Sequence, residues 1–357
     1  MSGWACGAAL EAVLRLAVSS GGLNRYDKAA ASGTCTEWRR AVFVSRIPAK
    51  LDSKGAGRKW LQGWYHAFER QIAGVPRAVV GGDGSTPRPS LDVDAGEALH
   101  RALNEVVNNG VMPDFSHPGA LVHYTLENLQ QRSQKATAAM LLDEARPLLE
   151  ALMLSRREVV RVAAVGGGPG FEAVGLAALA QHLRSVVSVE SISMDIEKEW
   201  APLLASVVAG ATFTHATPDE LHASTCSLAS ADAKSSCGGA SSLRHRVAFV
   251  QSDCLTGHAG PDLLSAAPQV DLFTFNYCMV ENAKALRRDK FAYLRQVFAA
   301  AQIGAVFVFM DAAYHLWEET VGVFGELPGM RFAVLHPHPQ PWQCKSTMLV
   351  VKVAGVK

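Results

Sequence analysis

The chain has 357 residues, 49% hydrophobic and 19% charged, with a formal net charge of +1. That length suits two domains, or one large domain with an extension, and the composition excludes general disorder. A near-neutral net charge requires no polyanionic partner, yet the charge is uneven: between Met1 and Arg77 twelve Lys/Arg stand against five acids. A basic N-terminal third points toward a polyanionic substrate.

The seven cysteines are odd in number and never form a C-x-x-C pair. They read as reduced thiols in a reducing compartment, with no zinc site or other metal. The opening segment MSGWACGAALEAVLRLAVSS lacks a basic leader and carries Glu11 and Arg15, a poor secretory signal. No charge-free apolar run reaches about 18 residues, so no membrane span is expected. The expected location is intracellular, cytoplasmic or nuclear and nucleolar, with a mitochondrial address left open.

Taken in chain order, residues 6–19 and 58–73 show helical periodicity. In the second, Trp60, Trp64, Phe68 and Ile72 recur every four residues, a stripe suited to a core rather than to stacking on bases. Residues 80–92, VGGDGSTPRPSLD, break any regular element and read as a linker or exposed loop. Helices are expected at 94–109 and from Gly119 to about Leu154, the latter open to division at Pro147. Residues 1–150 thus form a mainly helical region, a candidate substrate-binding part or lid, and residues 151–357 a second unit.

After Arg156 the rhythm becomes strand, helix, strand. Strands are expected near 160–165, 187–195, 247–251, 270–275, 304–310, 331–335 and 347–353. Alternation of this kind predicts a parallel sheet with helices on both faces. The last two strands are joined by HPHPQPWQCK, too short for a crossover helix, and should pair antiparallel. Residues 217–244, rich in Ala, Ser, Cys and Gly, read as a surface insertion.

The most informative segment is VRVAAVGGGPGFEAVG, Val160 to Gly175. A buried strand runs into Gly166-x-Gly168-x-Gly170 and then a helix, a design that lets backbone N–H groups and a helix N-terminus approach a nucleotide cofactor. Gly168 to Ala173 also satisfies the GxGxxA dinucleotide form. No Gly-Lys-Ser/Thr follows, which excludes a P-loop.

The loop, the strands after it and the antiparallel ending together resemble the class I S-adenosylmethionine-dependent methyltransferases over about residues 157–353. The resemblance implies a Rossmann-like α/β fold, a seven-stranded, mostly parallel sheet with an antiparallel last strand, and S-adenosyl-L-methionine as cofactor. It implies that Gly166, Gly168 and Gly170 approach the methionine part. The acid usual beside this loop is absent, Ala164 and Val165 standing there, so the cofactor's amino group needs backbone carbonyls or another side chain. In SISMDIEKEW the ribose hydroxyls fall to Asp195, at the end of its strand, with Glu190 as the alternative about 20 residues from the glycines. In VAFVQSDCL, Asp253 matches the acid that meets the adenine amino group.

In VDLFTFNYCMVEN, Asn276 and Tyr277 emerge at the strand's C-terminal edge as cofactor and catalytic candidates. Amine-directed relatives often have prolines after the Asn; this chain has none. Tyr277 would stack on a base or line the cofactor pocket. Glu281 is the first candidate for a general base, His315 the second, and Asn282 a candidate substrate contact. The set GGGPG-x-E, D-I-x-x-x-W and FTFN followed by glutamate is similar to a eukaryotic family that includes the large-subunit ribosomal RNA uridine-N3 methyltransferases. That likeness, limited to the catalytic part of the chain, implies methylation of an RNA base; in that reading the basic N-terminal region, with Arg39, Arg40, Arg46, Lys50, Lys54, Arg58 and Lys59, binds phosphates. The alternatives are methylation of a small molecule or protein, an NAD-dependent oxidoreductase, and a non-catalytic assembly subunit of the same fold.

Overall fold

The computed structural model describes residues 55–81, 90–109, 113–141, 146–153, 159–183, 188–211, 214–215, 245–311, 316–328, 330–335 and 347–353. The expected helix at 6–19, the insertion at 217–244 and the HPHPQPWQCK turn lie outside the described residues. So do Arg39, Arg40, Arg46, Lys50, Lys54 and His315.

The alternating half of the chain builds one sheet from β1 (Val159–Val165), β2 (Ser188–Asp195), β3 (Thr214–His215), β4 (Arg246–Gln251), β5 (Leu272–Asn276), β6 (Val306–Met310), β7 (Arg331–Leu335) and β8 (Thr347–Val353). Their spatial order is β3-β4-β2-β1-β5-β6-β8-β7. All pair parallel except β8, which runs antiparallel to both β6 and β7. Seven strands lie where the alternation predicts them. The eighth, β3, is a two-residue edge too short to leave a periodic signal. The chain winds outward from β1 through β2 and β4, then returns and winds the other way from β5, so the crevice between β1 and β5 is the topological switch point where ligands bind in open α/β sheets. This is the Rossmann-like, mostly parallel arrangement with an antiparallel last strand that the sequence resemblance implies.

Eleven α-helices are present among the described residues. Five precede the sheet: α1 (Gly55–Ile72), α2 (Val75–Gly81), α3 (Val93–Asn109), α4 (Pro118–Ala138) and α5 (Arg146–Met153). Six follow: α6 (Phe171–His182), α7 (Trp200–Gly210), α8 (Pro261–Ala266), α9 (Ala283–Arg288), α10 (Ala292–Ala300) and α11 (Trp317–Gly325). The helix expected from Gly119 to Leu154 is divided. A 3₁₀ turn at Ala139–Leu141 closes its first part, and Pro147 falls in the first turn of α5, where its missing N–H leaves no bond unmade. No described helix is long and apolar enough to cross a membrane.

Strand periodicity sorts the core into two faces. On one, Val165, Phe273, Phe275, Phe307 and Phe309 pack with α10 and α11 residues. The parallel register sets Phe273 opposite Phe307 and Phe275 opposite Phe309, and both pairs stack, with centroids 4.8 and 4.7 Å apart. On the other face, Val160, Val162, Val306, Val308 and Leu349 meet Leu61 and Trp64 of α1, Met140, and Leu149 of α5. A third cluster joins Phe68, Leu99, Leu121 and Val122 to Phe171, Trp200 and Leu203. The described helical region therefore has no hydrophobic cluster of its own; each one it enters also contains residues of the α/β unit. Trp64 and Phe68 of the aromatic stripe are completely buried in these cores.

The two parts approach closely where α4 packs against α6. A Cβ on Gly175 would overlap the Ser133 carbonyl oxygen and lie 3.2 Å from Thr137 Cγ2. Alanine normally favours a helix interior by about 1 kcal/mol over glycine. Here a backbone carbonyl must move, so Gly175→Ala should destabilise by roughly 1–3 kcal/mol in chemical denaturation. Gly322→Ala in α11, where a Cβ would meet nothing within 4 Å, should be neutral or stabilising.

Candidate functional site

A cleft of about 780 Å³, counted with its open mouth, lies at the switch point along the C-terminal ends of β1, β2, β4 and β5. Its floor begins where the chain leaves β1. Gly166, Gly168 and Gly170 all have positive φ, at 66°, 48° and 87°. Side chains rarely adopt such angles, and a Cβ on Gly166 would also press on Cys278 Cβ at 2.7 Å. The loop is held from β2: Gly167 N–H donates to the Met194 carbonyl at 3.0 Å, and Ser193 Oγ donates to the Gly168 carbonyl at 3.0 Å. α6 then starts at Gly170 with no side-chain cap, leaving its N-terminal end to the cleft.

Asp195 and Glu190, the two acids proposed for ribose, separate cleanly. Asp195 ends β2, lines the cleft, and its Oδ2 accepts the Gly168 N–H at 3.1 Å. Glu190 sits buried in mid-strand between Arg161 and Arg246, at 3.5 and 3.1 Å, and does not face the cleft. Asp253 is not among the wall residues, whereas its neighbours Ser252 and Cys254 are. The chain turns there into a 3₁₀ segment at Cys254–Thr256, with Thr256 Oγ1 donating to the Asp253 carbonyl.

At the end of β5, Asn276 is 3% exposed and its amide makes no well-formed hydrogen bond, though it lies near the Glu172 carboxyl. Tyr277 follows in the left-handed region, φ 59°, a strained backbone for a tyrosine, pinned by its N–H to the Met310 carbonyl at 2.8 Å. One face of its ring is covered by Arg132, 4.5 Å from the centroid, and its hydroxyl accepts from Lys135 Nζ at 2.7 Å. Stacking of a base on that face would require Arg132 to leave. Glu281 lines the cleft, while the Asn282 amide is engaged with the Cys278 carbonyl at 2.6 Å and so ties the turn.

The sequence motifs assigned no role to the rest of the wall. Leu103, Phe115, Tyr124 and Arg132 come from the helical region and roof the cleft. Tyr124 and Phe115 pack on Trp200 at 5.6 and 6.0 Å, and Arg132 lies between the Tyr124 and Tyr277 rings. Glu172, in the first turn of α6, is 2% exposed and also lines the cleft. Glu172 and Trp200 are visible as the final letters of GGGPG-x-E and D-I-x-x-x-W. For Tyr124 and Arg132 the available signal was their spacing of eight, which sets them on one face of α4.

Electrostatically the cleft is crowded with acids. Burial pushes Glu172 up to about 7, against its own N–H, Asn276 and Arg132, which pull it down. Burial likewise raises Asp195 to about 6 and Glu281 to about 8; Asp195 adds to the rise at Glu281, and Arg132 opposes it. Glu172 and Glu281 thus share the Arg132 guanidinium, while Asp195 is held by backbone N–H groups.

No family model matches the chain, and no curated protein matches it. Among solved structures, an S-adenosylmethionine-dependent methyltransferase of Methanosarcina mazei aligns at 11% identity and TM-score 0.34, over 59% of this chain and 97% of that one. An rRNA methylase of Streptococcus thermophilus aligns at 9% identity and TM-score 0.33, over 58% and 92%. An S-adenosylmethionine-dependent O-methyltransferase of Thermotoga maritima aligns at 16% identity and TM-score 0.35, over 69% and 74%. The fold assignment rests on the strand order and register described above.

The Glu172 shift has a stability consequence. Its folded-state value lies above that of an unfolded glutamate, so the contribution is full below about pH 4.5 and is lost as pH rises through about 7. Glu172→Gln removes this loss. The variant should gain roughly 3 kcal/mol relative to the parent between pH 4 and pH 8 in denaturant titrations. Parallel pH profiles for the two proteins would show Glu172 ionised without cost.

Proposed function

We propose that the chain is an S-adenosylmethionine-dependent methyltransferase. The observation that carries this reading is Glu172 beneath the glycine loop, at the helix N-terminus. A dinucleotide would bring its pyrophosphate to that place, and a buried carboxyl there opposes it. S-adenosylmethionine carries a net positive charge, which suits a cleft holding three acids and one guanidinium. The residues fit the group in other respects. The glycine loop leaves room against the backbone, Asp195 would take the ribose hydroxyls, Ile196 and Ser252 would flank the adenine, and the Asn276 amide lines the cleft beside Glu172.

The cofactor supplies an activated methyl group, so the chain's own residues need only position the acceptor, exclude water and receive a proton. Arg132, Tyr124 and Phe115 close the roof. Glu281, pushed up to about 8, accepts a proton readily and is the general base of this reading. The finer proposal is an RNA base as acceptor, of the uridine-N3 type, turned out of its strand to reach the roofed cleft. Its supports are the motif resemblance, a base suited to an N–H nucleophile, and the basic residues before Arg77, of which Arg58 and Lys59 are exposed on α1. The roof itself favours a second reading, a small-molecule acceptor, for which those cations are a solvated face.

Two measurements test these steps. Saturating S-adenosylhomocysteine at one hundred times its dissociation constant should stabilise the protein by about 2.7 kcal/mol in thermal unfolding. NADH should not, and Gly168→Arg should abolish the shift; stabilisation by NADH alone would overturn the cofactor assignment. RNA affinity should fall linearly with log salt, with a slope near −0.7 per phosphate contact for single strands. Binding that ignores salt, or is unchanged when Arg39, Arg40, Arg46 and Lys50 become Ala, would decide for the small acceptor.

A further inference from the structure

The cleft contains more unsatisfied polar groups than an idle surface would hold. Glu172 Oε2 and both atoms of the Asn276 amide are buried with no well-formed hydrogen bond, although the amide lies near enough to the Glu172 carboxyl to favour its charged form. Arg132 touches two aromatic rings, yet among the described residues it makes no ion pair within 4.0 Å. Arg132 and Glu172 still feel each other's charge across the cleft. Opposite charges that line one cavity without touching suit a ligand that carries both charges itself.

We infer that Arg132 and Glu172 bind the two ends of an α-amino-acid zwitterion, Arg132 its carboxylate and Glu172 its ammonium. The helical region thereby becomes part of the cofactor site as well as its roof. This rests on the proposed function, because the zwitterion is the methionyl end of S-adenosylmethionine. It also accounts for Ala164 and Val165 beside the glycine loop: the acid missing there is supplied from the first turn of α6. Glu281, Asp195 and Asp311 are the other acids that bear on this part of the cleft. Asp195 is engaged by the Gly168 N–H and Asp311 by the Val280 N–H, and Glu281, which also feels the Arg132 charge, stands on the turn after β5 as the general base of the proposed function.

The test measures affinities of the full chain, by calorimetry, for S-adenosylmethionine, its decarboxylated analogue and methylthioadenosine, which has neither charge of the zwitterion. The parent should prefer S-adenosylmethionine over the decarboxylated analogue by roughly 30- to 100-fold, the scale of a charge-assisted guanidinium–carboxylate pair. In Arg132→Met that ratio should fall to within about threefold, and Arg132→Lys should keep part of it. Glu172→Gln should weaken both amino-bearing ligands, whereas Glu281→Gln should leave the ratio intact. Methylthioadenosine should bind all variants alike, which verifies that each is folded. A preference that persists in Arg132→Met, or a parent with none, overturns the zwitterion site while the cofactor assignment stands. A parent that binds none of the three ligands overturns both.

Discussion

The Asp195 carboxyl receives the Gly168 N–H at 3.1 Å while the Ser193 hydroxyl donates to the Gly168 carbonyl, and the rest of the cleft is built around that two-sided hold. Three left-handed glycines would otherwise be the least constrained stretch of the chain. Fixed to the end of β2, they aim α6 so that its first turn, with Glu172, faces the crevice between β1 and β5. The same hold keeps the Asp195 carboxyl at the cleft edge, where a ribose would come. It also lets the Cys278 side chain pass close over Gly166, beside the β5 turn that carries Asn276 and Tyr277 into the wall.

A second constraint comes from outside the sheet. The five helices before β1 bury their apolar faces on α6, α7 and the sheet itself, so that Phe68, Leu121 and Trp200 belong to one cluster. A helical region packed in this way is a fixed part of the site. Because α4 approaches α6 closely at Gly175, Arg132 and Lys135 are delivered to the Tyr277 ring and hydroxyl rather than to solvent. The left-handed backbone of Tyr277 is consistent with a residue whose position is set by such partners.

These two constraints produce the cleft's charge imbalance. Burial raises the values of Glu172, Asp195 and Glu281, since few compensating cations reach them. Low dielectric makes unpaired acids costly in the free protein and makes a cationic ligand correspondingly favourable. The cost is tolerated at a binding site, where a ligand can offset it, and would be unusual in a purely structural core.

What the sequence determined by itself follows from local periodicity. Alternating apolar positions and turn residues located seven strands, the glycines marked the loop, and a ten-residue connector required an antiparallel ending. It also placed Asp195 and Asn276 at strand ends, because the end of a strand can be read from where alternation stops. It left open the choice between Asp195 and Glu190. Only the tertiary structure separated them, by putting Arg161 and Arg246 beside Glu190. The division of the helix at Ala138, the edge strand β3 and the turn that leaves Asp253 out of the wall were likewise decided by packing and chain direction. Arg132 and Tyr124 could not have been assigned from pattern, since some 35 to 45 residues separate them from the loop they face. Contacts at that separation depend on how α4 crosses α6, and a helix crossing is a property of two packed surfaces that neither segment encodes alone.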